Sequence, residues 1–119
     1  MVNKKITAKQ LKSNKKEQVV KVAGRDYTVS FNFGVMGELE EIYGDVNTAL
    51  AELQKAKIKA ITNLMYAIMK QEDGNENLTI RQVGKLLDQN FMSEITSKMG
   101  KAMQNDFGEE TKEKDLGEQ

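Results

Sequence analysis

Between Tyr27 and Asp45 the hydrophobic period of the chain lengthens from two to helical within a few residues. Tyr27, Val29 and Phe31 alternate with Thr28, Ser30 and Asn32, which places apolar and polar side chains on opposite faces of an extended segment. From Asn32 onward Val35, Leu39, Ile42 and Tyr43 recur at i, i+4, i+7 and i+8, one face of a helix, while Glu38, Glu40 and Glu41 lie elsewhere around it. A strand therefore hands over directly to a helix, which Gly44 ends and Asp45 restarts.

The neighbouring segments extend this pattern. Val19, Val20 and Val22, then Ala23-Gly24-Arg25-Asp26, then the Tyr27 to Phe31 alternation predict a β-hairpin with a short glycine-containing turn. A lone hairpin is marginal in water, so its Tyr27, Val29 and Phe31 face must pack on helices. Asn32 and Asp45 are the expected N-caps of the first two helices, because short polar side chains accept from orphan amides. Val46, Ala49, Leu50 and Leu53 form the next stripe, which lapses at Lys55-Ala56-Lys57 before Ile58, Ile61, Leu64, Met65, Ile68 and Met69 resume it. A break there and a continuous helix from Val46 to Gln71 both fit, since no proline or glycine forces the break.

Asp73-Gly74-Asn75-Glu76-Asn77 has the chemistry of a helix end and loop. Leu78 to Asp88 follows, opened by Thr79 and Gln82 in capping-box spacing, with Val83, Leu86 and Leu87 as its stripe. Gln89-Asn90 is expected to break the pattern, and Ser93 to Gln104 resumes it with Ile95, Met99 and Met103. The expected fold is α+β and mostly helical: an N-terminal hairpin packed on about four to five helices. The structural core expected is Tyr27, Val29, Phe31, Val35, Leu39, Ile61, Leu64, Tyr66, Ile68 and Leu86.

Composition narrows the possibilities. The 119 residues suit one domain, read as 17–107, between a basic arm over 1–16 and an acidic, disordered tail over 108–119. Basic and acidic residues number 18 each, so no bulk field draws the molecule to nucleic acid or anionic lipid. The arm holds six lysines and no acid, and the tail five acids and two lysines. Cysteine is absent, which excludes disulfides and thiolate metal sites and fits a reducing intracellular compartment. The longest apolar-rich region, Ile58 to Met69, is interrupted by Lys59, Thr62 and Asn63 and falls short of the roughly 20 residues of a membrane span. The N-terminus lacks the apolar stretch of a secretory signal.

Candidate chemistry is sparse. Histidine is absent, removing the usual base of serine and threonine hydrolases and imidazole metal ligation. Glu38, Glu41 and Asp45 at i, i+3 and i+7 could gather carboxylates for a cation or acid catalysis, although solvated helix faces commonly carry such acids. Gly34 and Gly37 follow a strand but lack the third glycine and lysine of a phosphate-binding turn; close packing of the helix start against the strand, and of a neighbour at Gly37, is the expected role. Lysines 4, 5, 9, 12, 15 and 16 have no interleaved arginine or aromatic residue for reading bases. Lys98 and Lys101 on the last helix would be the recognition residues if the final two helices formed a helix-turn-helix. No catalytic, cofactor-binding or metal residues are assigned.

Methionine is the distinctive residue, with Met65, Met69, Met92, Met99 and Met103 in the second half. Its flexible thioether suits surfaces that repack against varied partners, so Ile95, Met99 and Met103 are the candidate partner-binding stripe, with core packing the alternative.

The order Phe31-Asn32-Phe33-Gly34, Leu39-Glu40, Tyr43-Gly44-Asp45 resembles the tail assembly chaperones of long-tailed bacteriophages and prophages. The likeness continues through Asn63-Leu64-Met65-Tyr66-Ala67 in the middle apolar helix and Leu78-Thr79, Val83, Leu86-Leu87 and Asp88 in the next, covering residues 17–90. Where many relatives carry proline before the middle helix, this chain has Ala56-Lys57. The resemblance implies a non-enzymatic protein of the bacterial cytoplasm, not retained in the mature virion, that binds the helical tape-measure protein, keeps it soluble and helps recruit tail-tube subunits. It implies no cofactor, nucleic acid or membrane, and leaves room for self-association and for a frameshifted longer form. A small DNA-binding regulator and a structural connector of the virion are the competing classes, the first distinguished by salt-dependent duplex binding.

Overall fold

A computed structural model of the chain describes residues 17 to 108; the basic arm and all of the acidic tail but Gly108 lie outside that range. The described residues form an antiparallel hairpin, β1 (Gln18–Val22) and β2 (Arg25–Val29), followed by five α-helices. These are α1 (Phe33–Tyr43), α2 (Val46–Gln54), α3 (Ile58–Met69), α4 (Ile80–Leu86) and α5 (Gln89–Met103), after which Gln104–Gly108 makes a π-helical turn. The expected α+β, mostly helical class is the class observed.

The hairpin closes through a two-residue turn, with Val22 opposite Arg25. Ala23 and Gly24 both take positive φ, 52° and 82°, as the tight turns that match strand twist require. Val20, Val22, Tyr27 and Val29 are buried on one face, while Val19, Lys21, Asp26 and Thr28 point the other way and are exposed. That buried face lies on α3 and α5.

Helix α1 starts where Asn32 Oδ1 accepts from the Val35 amide at 2.9 Å, and ends at Gly44, whose φ of 95° lets its amide turn back to the Glu40 carbonyl. Asp45 Oδ1 then accepts from the Thr48 amide at 2.7 Å and opens α2. The break at Lys55-Ala56-Lys57 is real: Ala56 turns the chain at φ 54° where the apolar stripe has lapsed and no buried face holds the helix together. Helix α3 is the centre of the molecule, packed against β2 and each of the other four helices. Gln71 Nε2 donates to the Gly34 carbonyl near one end and Asn63 Nδ2 to the Tyr43 hydroxyl near the other, so α1 and α3 run antiparallel.

Three expectations about element bounds and glycines need correction. Gln89 and Asn90 do not break the last helix but form its first turn, because Asp88 Oδ1 accepts from the Phe91 amide at 2.9 Å and caps it. Helix α4 is shorter than Leu78 to Asp88, since Leu87 leaves helical geometry to reach the core. Gly37 serves no close contact: a side-chain carbon there would meet nothing within 4 Å, whereas one at Gly34 would run into the Gln71 carboxamide rather than the strand.

Candidate partner-binding surface

The core assignments separate cleanly by burial. Tyr27, Val29, Phe31, Val35, Leu39, Ile61, Leu64 and Ile68 are all buried, as expected, in one cluster that joins the hairpin to α1 and α3. Tyr66 is only half-buried, with its hydroxyl accepting from Lys70 Nζ at 2.9 Å. Leu86 is not core at all; it is 47% exposed.

The proposed methionine stripe is overturned in the opposite direction. Ile95 is fully buried and Met99 is 5% exposed, both in the main cluster, because α5 turns this face toward the hairpin. Met103 is half-buried against the same cluster. Ile95 and Met99 are thus closed to a partner in the folded chain, and Met103 is the half-exposed member of the three.

The carboxylate trio does not converge. Asp45 is committed to capping α2, and the Thr48 amide and hydroxyl bonds hold its carboxyl below the usual aspartate range. Glu38 and Glu41 lie within electrostatic reach of Lys70, whose ammonium is held above its ordinary range first by the Tyr66 hydroxyl and then by these acids. Among the described residues no group of three or more acids is placed to hold a metal ion.

The helix-turn-helix geometry is also reassigned. Lys98 Nζ reaches the Val19 carbonyl at 2.6 Å and Glu94 Oε2 at 2.8 Å, so it faces the hairpin rather than an open groove of DNA. Helices α4 and α5 are joined through extended Leu87 and Asp88, and α4 has seven residues.

What the surface offers instead is an apolar groove beside α4. Leu78 and Leu86 line a depression of about 550 Å³, rimmed by Asn75, Asn77, Gln82 and Lys85. Its form follows from three local choices. The Thr79–Gln82 capping box starts α4, with the Thr79 amide donating to Gln82 Oε1 at 2.9 Å and the Gln82 amide to Thr79 Oγ1 at 3.2 Å. Gly84 lies beside Thr62 of α3, where an added side-chain carbon would stand in ordinary contact, 3.7 Å from Thr62 Cγ2. Val83 is then the one fully buried residue of the helix, and Leu86, three positions on, is left at the groove.

Continuous helical periodicity through Leu87 would bury Leu86, but the helix ends at Leu86 and Leu87 turns extended toward the core, which leaves Leu86 outside. Other apolar side chains also stand in solvent, notably Phe33 at 94% and Ile58 at 69%, at the first residues of α1 and α3. Neither lines this groove. No described helix is long and apolar enough to cross a membrane.

No protein-family model, curated protein or solved structure matches this chain.

Proposed function

We propose that this protein is a tail assembly chaperone of a long-tailed bacteriophage or prophage: a non-enzymatic binder that covers apolar helical segments of the tape-measure protein, keeps it soluble and helps bring tail-tube subunits to it. The observation that carries the reading is the Leu78–Leu86 groove, an apolar strip with a polar amide and lysine rim. An amphipathic helix laid into such a groove buries its own apolar stripe while its flanks meet the rim, which is the chemistry of helix-in-groove recognition. A tape-measure protein, long and helical, presents many such stripes.

Two further features support it. The resemblance rests on residues that form one continuous unit here, from the buried Phe31 through the Asn32 cap to α1 and its Gly44 stop. Buried Asn63 and the Gln71 carboxamide are committed to helix-to-helix bonds, to Tyr43 and Gly34, so these polar groups serve the fold rather than a partner.

The reading is tested in the coding DNA and in coexpression. A very long helical reading frame should lie downstream, and its product should stay soluble and co-purify when made together with this chain. A tape-measure product that precipitates equally with and without the chain would overturn the proposal.

A further inference from the structure

Among the described residues the hairpin leaves one backbone edge without a strand partner. The described sheet has two strands, so β1 meets β2 on one side and no other described strand on the other. Across a two-residue turn Val22 and Arg25 form a hydrogen-bonded pair, and alternation gives Val20 and Gln18 the same role. The N–H and C=O groups of Val19 and Lys21 therefore point away from β2. The Val19 carbonyl shows this directly by accepting from Lys98 Nζ. Beside this edge runs a groove of about 940 Å³, with Glu17, Gln18 and Val19 on one side and Ser97, Gly100 and Gln104 of α5 and its end on the other. At Gly100 an added side-chain carbon would meet nothing within 4 Å, so there is room over α5 for the side chains of another strand.

We propose that the β1 edge pairs antiparallel with the β1 edge of a second copy of this chain, about a twofold axis at Val19. The charge pattern argues for this occupant. Glu17, Val19 and Lys21 lie at i, i+2 and i+4 on the exposed face, reading acid, apolar, base. Antiparallel pairing centred on Val19 sets each Glu17 opposite Lys21 of the second copy and Val19 opposite Val19, the arrangement in which directly facing cross-strand pairs attract. It also covers Val19, which is 38% exposed in the single chain.

Helix α5 repeats the pattern one layer below. Glu94, Lys98 and Lys101 share a flank at i, i+4 and i+7, and Lys98 sits at Val19. Glu17 lines the same groove as Lys101 and Gln104, and Val19 meets Lys98, so the strand's acid lies at the end where the helix carries Lys101. The same twofold brings Lys101 toward Glu94 of the second copy. The formal net charge of zero sets no long-range repulsion between copies. In pairing, the amide of Val19 from the second copy replaces Lys98 on the Val19 carbonyl. Lys98 is thus the guard of a strand edge, a role lysine commonly fills.

Sedimentation equilibrium on the full chain over a wide concentration range tests the proposal. The expected result is a reversible monomer–dimer equilibrium. Glu17→Lys and Lys21→Glu should each weaken it about tenfold, since two symmetry-related pairs turn repulsive, and the double reversal should restore it. Circular dichroism of each variant separates lost pairing from lost fold; Glu17 precedes β1 and is exposed, so its reversal keeps the hairpin. A single-chain mass at every concentration, or association that neither reversal changes, overturns the proposal.

Discussion

The carboxylate of Asp106 accepts a hydrogen bond from the backbone amide of Phe31 at 3.0 Å, across 75 positions of sequence. The Phe107 ring follows it down and meets the Phe31 ring at a centroid distance of 5.7 Å, tilted by 53°. The π-helical turn Gln104–Gly108 thus fastens the end of the described chain to the strand–helix junction, and satisfies an amide that neither β2 nor α1 can use.

Asp106→Ala is expected to lower unfolding stability by about 1 to 2 kcal/mol, the usual range for a partly exposed bond to a charged acceptor. Phe107→Ala should cost about as much through lost ring contact. Because one turn carries both, the double variant should lose less than the sum. Urea denaturation of the three variants measures this, and strict additivity would show that the two contacts act separately.

Opposite exchanges of glycine and alanine should each raise stability at two positions. Gly37→Ala should stabilise by about 0.5 to 1 kcal/mol, because it sits inside α1 and the new methyl group meets open space. Ala56→Gly should also stabilise, by up to about 1 kcal/mol, since it relieves a left-handed alanine. Thermal melts of both suffice, and a loss at either position would contradict the backbone described.

Asn63 is buried, and its amide nitrogen donates to the Tyr43 hydroxyl at 2.9 Å. Tyr43→Phe leaves that amide without its acceptor and should cost about 1 to 2 kcal/mol, well beyond the area lost with one oxygen. A change within a few tenths, measured by chemical denaturation, would mean that the bond does not hold α1 to α3.

The Asp45 cap has a defined pH signature. Its carboxyl is lowered in the folded chain by the Thr48 bonds, so the contribution is fully present above the ordinary aspartate value. It is lost as pH falls through that value toward the lowered folded one. Asp45→Asn keeps an acceptor at the cap but cannot titrate. The stability gap between wild type and variant should therefore shrink on acidification, and a gap constant with pH would refute the assignment.

The local rules were legible where one segment carries both the signal and its answer. Asn32, Asp45 and the Thr79–Gln82 box cap the helices expected of them, and the alternation at Tyr27, Val29 and Phe31 names the buried face of β2. Choices between elements were not legible. Ile95 and Met99 on α5 read equally as a free stripe or as core, and only the position of the hairpin decides for core. Leu86 failed for the converse reason, since the end of α4 depends on where Leu87 must reach. Asp106 and Phe107 lie at the end of the expected domain, past the last helical stripe, and the Phe31 they meet is 75 positions away from Asp106, so no local pattern pairs them.

The central claim is that the Leu78–Leu86 groove holds helical segments of the tape-measure protein. Co-purification of that protein with Leu86→Glu, compared against wild type and the exposed control Ile58→Glu outside the groove, tests it most directly. Capture by wild type and Ile58→Glu, with loss in a folded Leu86→Glu variant, is the expected result. Undiminished capture by folded Leu86→Glu would contradict it.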